Sequence, residues 1–164
     1  MKIILDGFMG SGKTTIGQLL ATELQLSFWD LDHLISATAQ KSISAIFQDS
    51  GEKYFRSLET KALKEVLPKN GVLALGGGTS SLQENRQLLQ KDSASVILLE
   101  AQNTTLWQRI NATATRPLAK SQAQITALKR QRQAYYEQMA DLIITTDHCF
   151  PKQVVQQIKN TLVI

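Results

Sequence analysis

A single cysteine, Cys149, stands in a chain of 164 residues, so no internal disulfide can close and nothing calls for an oxidising compartment. Long apolar runs are missing as well. None reaches the roughly 18 residues that a membrane-spanning helix needs, and Asp6 interrupts the N-terminal stretch where a secretion signal would be continuous. The formal net charge of +4 is dispersed, with no block of like sign and no basic stripe interleaved with aromatics. That argues against a nucleic-acid partner and leaves anionic small molecules as the class to expect. No linker, repeat or low-complexity tract divides the chain. With 43% hydrophobic and 20% charged residues, both ordinary globular values, the expectation is one soluble, cytoplasmic domain spanning 1–164.

What the chain does have is Gly7-Phe8-Met9-Gly10-Ser11-Gly12-Lys13-Thr14, two glycines five residues apart followed by Lys and Thr. The run Lys2-Ile3-Ile4-Leu5 precedes it, and the helical spacing of Ile16, Leu19, Leu20 and Leu24 follows. Strand, loop and helix form the context a phosphate loop requires. Glycines let consecutive N–H groups turn inward on a phosphate, and the helix beginning near Lys13 adds its partial positive end. Lys13 is placed to reach the β- and γ-phosphates, and the Thr14 hydroxyl to ligate Mg²⁺. A plain glycine-rich turn is the alternative, but the full pattern with both flanks favours a nucleotide site.

Along the chain, strands are expected at Lys2–Asp6, Ser27–Trp29, Val72–Leu75, Ser95–Leu99 and Leu142–Ile144, alternating with helices. Ser42 reads as the cap of a short helix, which Gly51 separates from a longer one over Glu52–Leu67. Ala112–Gln124, which has no apolar period and carries Pro117 near its middle, reads as a mobile loop of functional length. Alternation of this kind implies a parallel sheet with helices on both faces. Ligands of such sheets gather at the C-terminal strand ends. The phosphate loop, Asp30 and Asp32, and Gly76-Gly77-Gly78 all fall there.

Asp30 and Asp32 project to the same side if the second strand runs through both. One would then hold the Mg²⁺ water shell and the other accept a hydroxyl proton, with capping of the next helix as the plainer role for either. Arginine is scarce, six against twelve lysines, which makes its positions informative. Arg56 sits beside Glu52 and Glu59, Arg116 precedes Pro117 in the loop, and Arg132 shares a helix face with Tyr136. A planar guanidinium holds a carboxylate by two parallel bonds, so these side chains suit a small acid. Trp29 and Trp107 read as core or crevice wall, and His33, His148 and Cys149 lack metal-ligand spacing.

Taken together, the phosphate loop with Thr15 and Ile16, Asp30-Leu31-Asp32, Gly51-Glu52 with Phe55-Arg56 and Glu59, the triple glycine, Arg116-Pro117-Leu118, and Arg132 with Tyr136 resemble the shikimate kinases, small P-loop kinases of the nucleoside monophosphate kinase fold. The resemblance spans nearly the whole chain. It implies a three-layer α/β/α fold with a five-stranded parallel sheet and a mobile lid at about 112–124. It also implies transfer of the ATP γ-phosphate to the 3-hydroxyl of shikimate, with Mg²⁺ as cofactor. By the same resemblance Gly10, Ser11, Gly12, Lys13, Thr14 and Thr15 hold the ATP phosphates, Arg109 lies near adenine, and Arg116 comes in on the lid. Thr14 ligates Mg²⁺ with Asp30 in its outer shell. Asp32, Arg56, Gly77 and Arg132 bind shikimate, and Lys13, Asp32 and Arg116 carry catalysis. Two departures are Ala119 after the Arg116-Pro117-Leu118 motif and Gln133-Ala134 after Arg132. Arg130 competes with Arg132 for the carboxylate, and the spacing to Tyr136 favours Arg132. A monomer acting on shikimate and ATP, with no nucleic acid and no membrane, is the expected form. A gluconate kinase on the same scaffold and an ATP-binding switch without a small-molecule acceptor are the rival readings.

Overall fold

The computed structural model describes residues 1–113 and 121–164. Five parallel strands form one sheet: β1 (Lys2–Asp6), β2 (Phe28–Asp30), β3 (Gly71–Ala74), β4 (Ser95–Glu100) and β5 (Leu142–Thr145), in the order β2-β3-β1-β4-β5. Seven helices among the described residues surround it: α1 (Lys13–Leu24), α2 (Leu31–Ala39), α3 (Ile43–Val66), α4 (Gln83–Gln90), α5 (Asn103–Thr113), α6 (Gln122–Met139) and α7 (Pro151–Leu162). A 3₁₀ turn, Thr79–Ser81, follows the glycine run. No described helix is long and apolar enough to cross a membrane.

The period of two in the strands sorts the core into two faces. Ile4, Leu73, Leu75 and Val96 point to one side and pack with Leu31, Ile35, Phe55, Leu63 and Met139 from α2, α3 and α6. Ile3, Leu5, Val72, Ile97 and Leu99 point to the other and pack with Ile16 and Leu20 of α1 and Val154, Val155 and Ile158 of α7. Register keeps each set on its side: Ile3 pairs with Val72 in β3, and Ile4 with Leu73 in β3 and Val96 in β4. A third cluster closes the C-terminal edge, where Phe8 and Met9 of the loop after β1 meet Leu98, Leu106, Ile110, Ile125 and Tyr136. It anchors the phosphate loop to α5 and α6.

Two expectations change. The second strand stops at Asp30, which caps α2 by accepting the His33 amide at 3.1 Å, so Asp32 lies in the first turn of a helix and is not a strand neighbour of Asp30. The expected loop 112–124 is also shorter. The helix α5 runs through Thr113, and Ser121 caps α6 by accepting the Gln124 amide at 3.2 Å. Its central part, with Arg116, lies outside the described residues.

The two helices expected around Gly51 are both there as the halves of α3, broken by Gly51 at φ 77°, ψ 175°. Only glycine holds that conformation cheaply. A Cβ at this position would meet nothing within 4 Å. Gly51→Ala should therefore lose about 1–3 kcal/mol from backbone strain alone, read as a lowered Tm in thermal unfolding; an unchanged Tm would mean that the bend relaxes.

Candidate active site

β1 delivers the phosphate loop and α1 begins inside it. Gly12, at φ 100°, turns the chain into the helix, and the Ile16 amide bonds back to the Gly12 carbonyl at 2.9 Å. Lys13 is nearly buried and curls over its own loop, its Nζ donating to the Gly7 and Phe8 carbonyls at 2.7 and 3.0 Å. Lys13 lines the cleft together with Gly10, Gly12 and Thr14. The Ser11 side chain points inward and is fully buried, while Thr15 lies at the outer rim of the cleft. Thr14 Oγ1 donates to Asp30 Oδ2 at 2.6 Å, so Asp30 both caps α2 and holds this hydroxyl. Two hard oxygen ligands side by side at the mouth of a phosphate loop suit Mg²⁺, which takes few protein ligands and completes its shell with water and phosphate oxygens. From α5, Arg109 donates to the Gly10 carbonyl at 3.2 Å and to Thr146 at 3.0 Å, tying that helix to the loop at the wall of the same cleft.

A second pocket adjoins the first, lined by Met9, Asp32, Ile43, Phe47, Phe55, Arg56, Glu59, the three glycines and Arg132. Arg56 donates to Glu59 at 2.9 Å and to Glu52 at 3.2 Å, and its guanidinium carbon lies 5.3 Å from the centre of the Phe55 ring. Glu59 is fully buried and also accepts the Thr79 hydroxyl at 2.7 Å. Arg132, 6% exposed, donates to the Gly77 carbonyl at 2.9 Å, and the Tyr136 hydroxyl donates to the same oxygen. Arg130, on the opposite side of α6, is exposed. The two arginines that sequence reasoning singled out do converge, and the competitor points away.

The glycine run has side-chain-free backbone because its neighbours leave no room. A Cβ at residue 78 would sit 2.4 Å from Arg56 Nη2, and one at residue 76 would sit 2.8 Å from Asp32 Oδ1 and 2.9 Å from Glu59 Oε1. Asp32 lines both the phosphate cleft and this pocket and so stands where the two meet. Met9, Ile43 and Phe47 escaped the sequence reading. Their only signal is apolar character in a loop and on a short helix, which core packing explains equally well.

Burial raises the carboxyl of Glu59 above its ordinary 4.5, opposed by the charge and hydrogen bond of Arg56 and by the Thr79 hydroxyl. Burial likewise raises Asp6, against the pull of the Ser80 hydroxyl, the Gly7 amide, Lys13 and Arg132. Desolvation also pushes the Tyr136 phenol up, so it stays a neutral donor. The Glu59 shift has a sign that can be measured. A carboxyl whose value is raised on folding supplies stability that is whole below the unfolded value and is lost as pH rises through the folded one. The stability of wild type relative to Glu59→Gln should accordingly decline as pH rises from 4.5 upward, in urea unfolding at successive pH values. A relative stability that grows with pH would show that Arg56 outweighs burial.

The shikimate kinase family model matches residues 9–163 of the chain. Among curated relatives, the shikimate kinase of Limosilactobacillus fermentum is 44% identical over 161 residues, covering 96% of this chain and 93% of that one. That of Neisseria meningitidis serogroup C is 39% identical over 165 residues, covering 98% and 95%. Among solved structures, shikimate kinase from Acinetobacter baumannii in complex with shikimate superposes with a TM-score of 0.94 at 32% identity, over 99% of this chain and 92% of that one. A deoxyadenosine kinase from M. mycoides, 16% identical with a TM-score of 0.66, shares the fold alone. Phosphate loop, paired arginines over a glycine floor, and relatives along nearly the full length agree: the chain is a kinase and belongs to the shikimate kinase family.

Proposed function

We propose that the protein transfers the γ-phosphoryl group of ATP to the 3-hydroxyl of shikimate. The observation that carries this reading is the position of Asp32, a carboxylate shared by the phosphate cleft and the arginine-lined pocket. A hydroxyl held by Asp32 would face the γ-phosphate in line, and placement of that kind supplies much of a phosphoryl-transfer rate. The relative crystallised with shikimate supports the choice of acid.

In this reading the amides of Gly10 to Thr15, with the Ser11 side chain turned inward, cradle the phosphates, and Lys13 leaves its loop carbonyls to bridge the β- and γ-oxygens. Thr14 would hold Mg²⁺ directly and Asp30 through water. Bound there, the ion would neutralise charge on the β- and γ-phosphate oxygens. Arg109 lines the nucleotide side. Arg116, beyond the described residues, is assigned by the family resemblance to the transferring group, to which it would add positive charge. Arg56 and Arg132 take the shikimate carboxylate above the Gly77 backbone, and Asp32 orients the hydroxyl and accepts its proton. The apolar walls from Ile43, Phe47 and Phe55 suit the ring and exclude water that would otherwise hydrolyse ATP. A monomer working in the cytoplasm, where both substrates are dissolved, goes with this reading.

The direct test is ADP release with ATP and magnesium in a coupled assay, with shikimate, gluconate or no acceptor. Stimulation by shikimate alone is expected; stimulation by gluconate would keep the chemistry and reassign the pocket. Lys13→Ala should cost about 10²-fold or more in kcat. Arg132→Ala should raise the shikimate KM by roughly ten-fold or more while Arg130→Ala leaves it near wild type, and the reverse order would overturn the assignment. Gly78→Ala, which drives a methyl into Arg56, should raise the shikimate KM with a smaller effect on the ATP KM.

A further inference from the structure

Among the described residues no carboxylate pairs with Arg86, a half-buried side chain on α4. Its Nη1 donates instead to the Ser80 and Ser81 carbonyls at 2.7 and 2.9 Å, and its guanidinium carbon lies 4.3 Å from the centre of the Tyr135 ring. The carbonyls belong to the turn that follows the glycine floor, and Tyr135 stands on α6 next to Tyr136 and one turn after Arg132. An arginine whose contacts are carbonyls and a ring face, with no acid among them, joins two elements and is not one half of an ion pair. Arg86 lines neither the acid pocket nor the phosphate cleft, and no step of the proposed reaction uses it.

The helix α6 is thereby attached to the segment 77–81 at both ends. At one end Arg132 donates to the Gly77 carbonyl at 2.9 Å, and the Tyr136 hydroxyl donates to the same oxygen. At the other end Arg86 links the Tyr135 ring to the carbonyls of residues 80 and 81. Attachment at Gly77 alone would leave the helix free to pivot there, and a second attachment fixes the angle at which Arg132 is presented. The middle of the turn is held from α3 and α4: Thr79 donates to Glu59 at 2.7 Å, and Asn85 donates to the Thr79 carbonyl at 3.0 Å while accepting the Thr60 hydroxyl at 2.8 Å. We propose that Arg86 is a positioning residue for the acid pocket. Clamped between the turn and Tyr135, it sets the place of Arg132 over the glycine floor and with it the affinity for the substrate carboxylate. The inference rests on the assignment of that carboxylate to Arg132.

The test compares wild type with Arg86→Ala, Tyr135→Leu and Tyr135→Phe by steady-state kinetics, a thermal melt of each, and amide hydrogen exchange of residues 76–81 without ligands. Arg86→Ala should raise the shikimate KM roughly five-fold or more and Tyr135→Leu roughly two- to five-fold, both with the ATP KM within about two-fold of wild type. Tyr135→Phe keeps the ring and should match wild type. Tyr135 is exposed, so its variants keep the proposal testable should Arg86→Ala not fold. A lowered Tm with the shikimate KM unchanged, or with both KM values raised alike, would make Arg86 a general stabiliser and overturn the proposal. Exchange over residues 76–81 should quicken roughly ten-fold in Arg86→Ala and Tyr135→Leu, and unchanged exchange overturns the proposal whatever the acid. Shikimate-stimulated turnover of wild type decides the substrate separately, and its absence would leave the exchange comparison standing.

Discussion

The floor of the second pocket is bare backbone, and the placement of every charge around it depends on that. Arg56 from α3, Asp32 from α2 and Arg132 from α6 each come against the stretch Gly76–Gly78 at distances that a methyl group would forbid or beside a carbonyl that a side chain would cover. Three helices are thus referenced to one strand end. The turn beyond the glycines is pinned in turn. Thr79 donates to Glu59, Asn85 donates to the Thr79 carbonyl at 3.0 Å, and Arg86 donates to the carbonyls of Ser80 and Ser81 at 2.7 and 2.9 Å. A floor held from below in this way can position charges above it to within the tolerance that in-line transfer needs.

The two arginines differ in electrostatic standing. Arg56 is paired with Glu59 and Glu52, whereas Arg132 meets the uncharged Gly77 carbonyl and lies 5.8 Å from the Phe8 ring centre. A carboxylate arriving in the pocket therefore meets one guanidinium held in two ion pairs and another hydrogen-bonded to a backbone carbonyl.

Much of this was legible in the sequence because backbone requirements leave local marks. The phosphate loop, the bend at Gly51 and the triple glycine each show as glycine where geometry allows little else, and the five strands show as apolar runs. Arg132 was preferred to Arg130 on helical spacing alone, and the buried side of α6 bears out that placement. The strand register that would have aligned Asp30 with Asp32 was wrong because the cap formed by Asp30 starts a helix one residue later. Capping is a competition that an Asp in that place enters as readily as pairing. Phe47 and Ile43 were invisible as pocket walls, since an apolar side chain carries no sign of whether it faces protein or ligand. Asp6 was visible as a charge closing an apolar run, but its partner Ser80 lies 74 residues away and only the fold brings them together.

Most of the buried polar groups gather at one edge. Asp6, Ser11, Lys13, Glu59, Thr79, Ser80 and Arg132 lie at or beyond the C-terminal ends of β1 and β3 or on the helices facing them, while Thr60 and Asn85 pair between α3 and α4 and Thr146 follows β5. Each of these groups costs desolvation, and a domain holds only on the order of 5–15 kcal/mol in reserve. Gathering them at one edge lets most satisfy one another: Lys13 the loop carbonyls, Glu59 both Arg56 and Thr79, and Asp6 both Gly7 and Ser80. The Ser11 hydroxyl at that edge is left without a partner among the described residues, and the two apolar faces of the sheet carry the stability. Local sequence rules are broken at the edge and obeyed in the core, and that contrast marks the functional side of the molecule without reference to any relative.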